Sequence, residues 1–414
     1  MSIERLRGVV LIKRDFLRAG HFPTLLAAFF YFDMSFMVWV LLGALAVQMS
    51  ADLGLNAAQK GFMVALPVLA GALLRVVFGI LVDRLRPRRA GIIGQVIVIA
   101  GLSSAWLAGI SSYSGTLALG LILGVAGASF AVALPLASRW YPPQYQGVAL
   151  GIAGAGNSGT VFASLFAPGF AAALGWNSVL GLAVIPLAVA FAVYLFAAKD
   201  SPTAPPPKKW SEYLAVLRMS DAWWFMFFYA VTFGGFVGLA SSLAIYFNAE
   251  YGLDAVKAGY FTAGCVFVGS LVRPVGGAVA DRIGGIKTLT AMYAIAALGL
   301  VIVSFRPHNV FATLALFAGC MLAFGMGNGS VFQLVPQRFR HEIGVMTGLV
   351  GMTGGVGGFF LASSLGVSKQ FTGTYQAGLL VFASLAVLAL VGLTSIKHRW
   401  RTTWGAVGVA GARI

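Results

Sequence analysis

The sequence predicts an all-α membrane protein whose twelve transmembrane helices form two pseudo-symmetric six-helix bundles. Three observations predict this class. Of the 414 residues, 59% are hydrophobic and only 10% are charged, and soluble domains typically carry about 25% charged residues. Twelve apolar segments are long enough to span a bilayer. Motifs of the first half of the chain also recur in the second half.

Each apolar segment can cross the hydrocarbon core of about 30 Å, because a helix rises about 1.5 Å per residue. The first segment is far longer than the apolar region of a signal peptide, which has about 7–15 residues, so we interpret it as a spanning helix. The predicted segments are 22–48, 60–83, 90–111, 114–138, 147–172, 176–197, 222–248, 257–281, 286–305, 309–336, 343–368 and 374–396.

The distribution of basic residues predicts the orientation. If the N-terminus is cytoplasmic, 22 of the 28 Lys and Arg residues fall in cytoplasmic segments and 4 in outer loops. This bias predicts a multi-pass integral membrane protein with both termini in the cytoplasm, in the cell (inner) membrane if the chain is bacterial. The net charge of +16 does not indicate a nucleic-acid partner, because the basic residues are spread over short connections.

A connection rich in proline and lysine divides the twelve segments six and six. We expect a monomer that lies in the lipid bilayer. The predicted organisation is an N-terminal cytoplasmic tail (1–21), an N-terminal bundle (22–198), a cytoplasmic linker (199–221), a C-terminal bundle (222–396) and a C-terminal cytoplasmic tail (397–414).

The two halves repeat at a nearly constant offset. RVVFGILVDR (75–84) aligns with RPVGGAVADR (273–282), FYFDMSF (30–36) with FFYAVTF (227–233), and QGVALGIAG (146–154) with IGVMTGLVG (343–351). Such halves, related by an axis along the membrane normal, are typical of transporters, and they predict a substrate site where the halves meet.

Two arginines within the predicted spanning helices are the strongest signal of a site. Arg75 and Arg273 each precede an Asp-Arg pair by eight residues, which places them roughly 12 Å into the bilayer. An arginine at this depth rarely faces lipid. Of the twelve acidic residues, only Asp33 lies inside a spanning helix. It can neutralise one arginine at most, so at least one guanidinium is expected to bind another anion.

The preference for arginine indicates the chemistry of that anion. The planar guanidinium donates two parallel hydrogen bonds and stays charged, which suits a small planar oxyanion. Other polar and aromatic residues are predicted at nearly the same depth in five helices. They are Asp33, Phe130, Asn157, Tyr229, Phe233 and Asn328.

Asn157 lies in the glycine-rich segment GIAGAGNSG (151–159). Its amide can donate to an oxyanion, although an interhelical hydrogen bond is the alternative role. The segment GMTGGVGGFF (351–360) is the glycine-rich counterpart in the second half and has no amide. Phe130 and Phe233 are predicted to form walls that limit the size of the substrate, with plain packing as the alternative.

These patterns resemble the major facilitator superfamily, and within it the nitrate/nitrite porter family, over essentially all twelve segments. GILVDRLRPRR (79–89) and GAVADRIGG (277–285) are similar to the cytoplasmic loop motif of the superfamily, although Arg86 stands where that motif usually has glycine. The motif positions are Gly79, Asp83 and Arg84, and Gly277, Asp281 and Arg282.

The segments AGAGNSG (153–159) and GGVGG (354–358) are similar to the paired glycine motifs of the porter family. The corresponding gating-helix glycines are Gly154, Gly156 and Gly159, and Gly354, Gly355, Gly357 and Gly358. The resemblance implies a major facilitator fold that works by alternating access. It also implies that nitrate or nitrite binds between Arg75 and Arg273, beside Asn157, in a site lined by Tyr229 and Phe233.

We therefore expect a nitrate transporter, with no enzymatic activity, cofactor or metal. The first hypothesis is that nitrate uptake is coupled to protons through Asp33. In the alternative, Asp33 forms a fixed ion pair with one of the two arginines. Obligatory nitrate/nitrite exchange is a second mode, because an anion would screen the repulsion between the arginines. Chlorate, formate and phosphate are rival substrates. A non-transporting anion sensor on a carrier fold is the rival from another class.

Overall fold

A computed structural model describes residues 14–202, 210–339 and 342–404. Within these ranges twelve helices are long and apolar enough to cross a membrane, which confirms the twelve predicted segments. They are α1 (Phe22–Asp52), α2 (Ala57–Leu85), α3 (Pro87–Ala108), α4 (Tyr113–Ser138), α5 (Val148–Leu174), α6 (Trp176–Ala197), α7 (Ser220–Tyr251), α8 (Ala255–Ile283), α9 (Gly285–Ser304), α10 (Val310–Arg338), α11 (Ile343–Thr372) and α12 (Gln376–Thr402).

Helical structure extends into the polar segments that flank the two halves. Short helices lie at Arg14–Ala19, in the predicted N-terminal tail, and at Trp210–Leu217, in the predicted linker. The parts of the predicted tails and linker at 1–13, 203–209 and 405–414 lie outside the described residues.

The last helix continues past the predicted end at residue 396 because polar contacts hold its final turns. The carboxylate of Asp221, at the start of α7, accepts hydrogen bonds from Trp400 Nε1 at 2.8 Å and from Arg399 Nη2. The Trp400 ring also stacks on Phe225, with 4.7 Å between centroids. Hydropathy does not detect such contacts, so the sequence places the end of this helix too early.

The packing of the two bundles repeats the sequence symmetry. In the first bundle Gly159 of α5 lies against the backbone carbonyl of Asp33 in α1. In the second bundle Gly357 of α11 lies in the same way against the backbone carbonyl of Ala230 in α7. Neither position has room for a Cβ atom, so these glycines allow the helix backbones to approach closely.

The bundles meet mainly along two helix pairs, α2 with α11 and α5 with α8, with a smaller contact between α1 and α7. Near the start of α2, a Cβ atom at Gly61 would lie 2.7 Å from Gly366 Cα. Near the start of α8, a Cβ atom at Gly259 would lie 2.6 Å from the carbonyl oxygen of Ser164. The halves are therefore closely packed at this end of both pairs.

The opposite end of the same helix pairs is open. Cβ atoms built at Gly79 of α2, Gly154 of α5 and Gly348 of α11 would meet no atom within 4 Å. Gly154 is nevertheless a buried residue, so it borders a space inside the molecule. The two bundles thus separate toward the end of α2 that carries the Asp-Arg pair.

Four spanning helices are interrupted near the middle, the first of them α1, where the regular helix breaks at Val40. Regular α-helix gives way to a turn at Ala128 in α4 and to a 3₁₀ segment, Ala155–Ser158, in α5. In α8 the break falls at Val272, next to Arg273 and Pro274. Proline disfavours helical geometry in the residue before it and lacks a backbone N–H donor. Interrupted spanning helices expose backbone groups, which is common where a membrane protein binds a solute.

Candidate functional site

Arg75 lies inside the protein and makes contacts in both bundles. The residue is 1% exposed. Its Nε donates to the carbonyl of Gly127 in α4 at 3.1 Å, and its Nη1 donates to the carbonyl of Gly351 in α11 at 2.5 Å. The second bond crosses from the N-terminal to the C-terminal bundle. The Nη2 atom is buried and has no hydrogen-bond partner.

The break in α4 explains why a backbone carbonyl is free to bind Arg75. In a regular helix the N–H of Ala131 would donate four residues back, to Gly127. Here it donates to Ala128 at 2.9 Å instead. The Gly127 carbonyl is therefore available, and an arginine donor satisfies it.

Arg273 is held less firmly. Its Nη2 donates to the hydroxyl of Tyr229 over a long distance of 3.4 Å. Its Nη1 atom is buried and unpartnered. The two arginines are related by the sequence repeat, yet only Arg75 is bound by backbone carbonyls.

The ring of Phe130 lies close to both cations. The Cζ atoms of Arg75 and Arg273 are 5.1 Å and 6.0 Å from the centroid of the Phe130 ring. The Phe233 ring also lies 5.1 Å from Arg75 Cζ. The electron-rich faces of these rings stabilise the guanidinium groups, but they carry no formal negative charge.

No carboxylate in the described part of the chain neutralises either arginine. Across the described ranges, neither Arg75 nor Arg273 takes part in a salt bridge. Asp33 is 3% exposed and accepts a hydrogen bond from Ser158 Oγ at 2.7 Å. The alternative that Asp33 is the fixed ionic partner of one arginine is therefore wrong for this conformation. The site keeps a surplus of buried positive charge.

Asn157 lies in the 3₁₀ segment of α5, on the side that meets α8. It is 2% exposed, and its side-chain oxygen has no hydrogen-bond partner. Its backbone carbonyl accepts from Thr160 Oγ1 at 2.7 Å and from Ser270 Oγ of α8 at 3.5 Å. The hydroxyl of the adjacent Ser158 donates to Asp33 of α1. The 3₁₀ segment of α5 therefore contacts both α1 and α8.

Tyr229 and Phe233 stack on each other in α7, with 5.2 Å between ring centroids. The Tyr229 ring also contacts Phe332 of α10 edge-on at 5.0 Å. Asn328, which the sequence places at the same depth, is buried with an unpartnered side-chain oxygen. The predicted roles of these residues in binding stay predictions.

Two aromatic residues near the cations are not among the site residues that the sequence predicts. Phe332 lies 5.4 Å from Arg273 Cζ, and Trp39 lies 5.3 Å from Arg75 Cζ. Helical spacing gives a signal for Trp39, because it extends a stripe with Phe32 and Phe36 on one face of α1. Phe332 has no such signal, since its contact with the site depends on the packing of α10 against α8.

The glycines of the paired motifs serve close packing in most cases. Gly156 faces the Phe32 ring, and Gly354 faces the Tyr229 ring. Gly355 meets Ala72 of α2, and Gly358 meets Val237 of α7. Gly154 alone among the seven borders open space.

The loop-motif residues lie at the ends of α2 and α8. The Asp83 carboxylate accepts from Arg139 Nη2 at 3.1 Å, which ties α2 to α4. Arg86, where the motif usually has glycine, adopts φ 70° and ψ 155°. The related position in the second half is a glycine, Gly284, with φ 99° and ψ 138°. This left-handed region strains any residue that has a Cβ atom.

Arg84 follows Asp83 at the end of α2, while Gly277, Asp281 and Arg282 follow Arg273 in α8. The six loop-motif positions, Gly79, Asp83, Arg84, Gly277, Asp281 and Arg282, therefore lie on the side of the molecule where the bundles separate. A Cβ atom added at Gly79 would meet no atom within 4 Å. A Cβ atom added at Gly277 would lie 3.7 Å from its nearest neighbour, the carbonyl oxygen of Gly329.

The fold and this site define a membrane carrier rather than an enzyme, because two related bundles enclose a pair of cations, the buried Arg75 and the half-buried Arg273. The sequence model of the Major Facilitator Superfamily matches residues 25–362. The nitrite extrusion protein of Bacillus subtilis is 33% identical over 357 residues, covering 86% of this chain and 89% of that protein. The probable nitrate/nitrite transporter NarK2 of Mycobacterium tuberculosis is 32% identical over 378 residues, covering 89% and 95%.

The chain belongs to the major facilitator superfamily and, within it, to the nitrate/nitrite porter family. Among solved structures, a bacterial homologue of the human lysosomal transporter Spinster has the same fold, with a TM-score of 0.66. The match covers 90% of this chain and 96% of that chain at 16% sequence identity. Twelve spanning helices and this family membership make the chain an integral, multi-pass membrane protein.

Proposed function

We propose that the chain is a secondary active transporter for nitrate, and also for nitrite, that works by alternating access between residues 22–198 and 222–396. The observation that carries the proposal is the uncompensated charge of Arg75 and Arg273. Each guanidinium has a buried, unpartnered Nη atom, and both groups lie within 6.0 Å of one phenyl ring. An unpaired buried cation is unfavourable, so a bound anion would supply both the missing charge and the missing acceptors.

The geometry suits a small planar oxyanion. Aromatic rings of Phe130, Phe233 and Phe332 surround the guanidinium groups and limit the space beside them. The free donors are few, and a phosphate ion with four oxygens would need more of them. Nitrate and nitrite need fewer, and the named relatives are nitrate/nitrite transporters or nitrite exporters.

Asp33 supports coupling of nitrate uptake to protons. The carboxylate is buried without a cationic partner and is bound by the Ser158 hydroxyl of the interrupted helix α5. Ser158 is adjacent to Asn157, so a proton added to Asp33 would change the hydrogen bonding of the segment that presents this amide. Intramembrane carboxylates in such positions commonly serve proton relays in transporters.

Obligatory exchange of nitrate for nitrite is the second candidate mode. Two cations close to one ring repel each other, and the energy is larger in a site of low dielectric than in water. An anion between them screens this repulsion and favours closure of the bundles around it. An empty carrier would then return slowly, which couples outward movement of one anion to inward movement of another.

The charge bias also supports a topology. With both termini in the cytoplasm, the end of α2 lies on the cytoplasmic side, and the separation of the bundles at Gly79 and Gly348 gives the site access to the cytoplasm. We further propose that the carrier is a monomer. The N-terminal and C-terminal bundles then provide both walls of the site within one chain.

Uptake of labelled nitrate into liposomes that contain the purified carrier tests the proposal. One set of vesicles carries an inward proton gradient, and another carries internal nitrite without a gradient. Proton-coupled transport predicts accumulation in the first set, and obligatory exchange predicts accumulation only in the second. No uptake in either set, by protein that is folded and reconstituted, would overturn the proposal.

A further inference from the structure

The two interfaces between the bundles differ at the depth of the arginines. On the α2–α11 side, Gly355 meets Ala72, and a Cβ atom at Gly355 would lie 2.6 Å from Ala72 Cβ. The sequence repeat places Asn157 and Ser270 at the related positions on the α5–α8 side. One interface is therefore apolar and closely packed, whereas the other carries an amide and a hydroxyl.

Ser270 makes an unusual hydrogen bond for a buried hydroxyl within a helix. Such hydroxyls commonly donate to the carbonyl four residues back, as Thr262 of the same helix does to Ala258 at 2.8 Å. Ser270 is 2% exposed and instead donates across the interface, to the carbonyl of Asn157 at 3.5 Å. Its hydroxyl therefore joins the two bundles.

The acceptor of this bond belongs to the 3₁₀ segment that presents Asn157. A 3₁₀ segment within a helix has weaker backbone hydrogen bonds and often marks a functional site. The Asn157 side-chain oxygen is buried and unpartnered, so protein contacts do not fix the orientation of the amide through that atom. Ser270 also lies three residues before Arg273, just across the break of α8 at Val272.

We propose that Ser270 is a positioning residue of the anion site. Its hydroxyl holds the 3₁₀ segment of α5 against α8 and so keeps the Asn157 amide at the depth of Arg273. The inference rests on the proposed transport of nitrate. It adds that the substrate lies toward the α5–α8 interface, since Ala72 and Gly355 offer no side-chain donor on the other side.

Initial rates of nitrate uptake into liposomes test this role. A neutral hydrogen bond contributes about 0.5–1.5 kcal/mol, and a bond as long as 3.5 Å belongs at the weak end, about 0.5 kcal/mol or twofold in affinity. Ser270→Ala is therefore expected to raise KM about twofold while the maximal rate stays near that of the unaltered carrier. Ser270→Thr keeps the hydroxyl and is expected to restore KM. If Ser270→Ala does not fold, Ser270→Cys replaces the hydroxyl with a weak donor of similar size and should raise KM alike.

A double-mutant cycle separates positioning from packing. Asn157→Ala is expected to raise KM by more than Ser270→Ala does, and the double variant should match Asn157→Ala because Ser270 acts through that amide. Thr262→Ala is the matched control, since its hydroxyl bonds only within α8, and its KM should not change. An unchanged KM in Ser270→Ala, or additive effects in the cycle, would overturn this inference alone. Absence of nitrate uptake by the unaltered carrier would overturn the proposed function as well.

Discussion

Replacement of each arginine by lysine should have different consequences for stability. Arg75 is held by the Gly127 and Gly351 carbonyls, on two helices from different bundles. Arg273 has one long bond, to the Tyr229 hydroxyl. A lysine ammonium is a single point donor and cannot reproduce the spread of a guanidinium. Arg75→Lys therefore loses at least one short bond to a backbone carbonyl, whereas Arg273→Lys loses little.

The size of the difference follows from these bonds. A hydrogen bond that involves a charged group contributes about 1.5–3 kcal/mol, and an unsatisfied buried carbonyl adds a desolvation penalty of about 1–3 kcal/mol. We expect Arg75→Lys to lower the free energy of unfolding by about 2.5–6 kcal/mol, the sum of these two contributions. For Arg273→Lys we expect less than about 1 kcal/mol, because its bond is long at 3.4 Å. Transport should fall about 100-fold in both, since neither variant can bind an oxyanion with two parallel bonds.

Thermal unfolding of the purified variants in detergent measures the first effect, and nitrate uptake into liposomes measures the second. The same comparison at several nitrate concentrations checks that the ligand does not mask the difference. Equal stability of the two variants would refute the unequal binding of the two guanidinium groups. Near-normal uptake by either lysine variant would refute bidentate recognition of the anion.

Three further substitutions have defined outcomes. Asp33→Asn should preserve nitrate/nitrite exchange and remove uptake driven by a proton gradient; retention of both activities would exclude coupling through this residue. Arg86→Gly should raise the unfolding temperature, because it removes backbone strain of about 1–3 kcal/mol at a positive φ. Gly284→Ala should lower the unfolding temperature for the same reason. If Arg86→Gly does not raise it, Arg86 is not strained. Gly355→Ala should destabilise the contact between α2 and α11 by about 1–3 kcal/mol. Gly348→Ala is the control and should not destabilise it, because the added Cβ atom would meet open space. Equal unfolding temperatures of the two variants would contradict the role of this contact.

The sequence was sufficient for the fold because lipid imposes a simple rule. Every spanning segment must satisfy its own backbone, so long apolar runs become helices. All twelve runs are helices in the structure. The errors lie at helix ends, where Asp221 binds Arg399 and Trp400 through contacts between distant parts of the chain. Hydropathy is local and cannot predict such pairs.

The site was predictable only in part. A buried arginine in an apolar segment is visible in any sequence, and Arg75 and Arg273 were found in this way. The groups that bind Arg75 are backbone carbonyls of Gly127 and Gly351, and every residue has such a carbonyl. Only the local break in α4 and the approach of α11 make these two available. Phe332 likewise reaches Arg273 through helix packing that no spacing rule reveals.

Equilibrium binding of nitrate to the purified carrier, measured by titration calorimetry in a nitrate-free buffer, tests the central claim most directly. The account predicts one nitrate per chain for the unaltered protein and no detectable binding for folded Arg75→Lys and Arg273→Lys. Nitrate binding of unaltered strength in either lysine variant, or its absence in the unaltered carrier, would contradict the claim that the uncompensated charge of these arginines holds the anion.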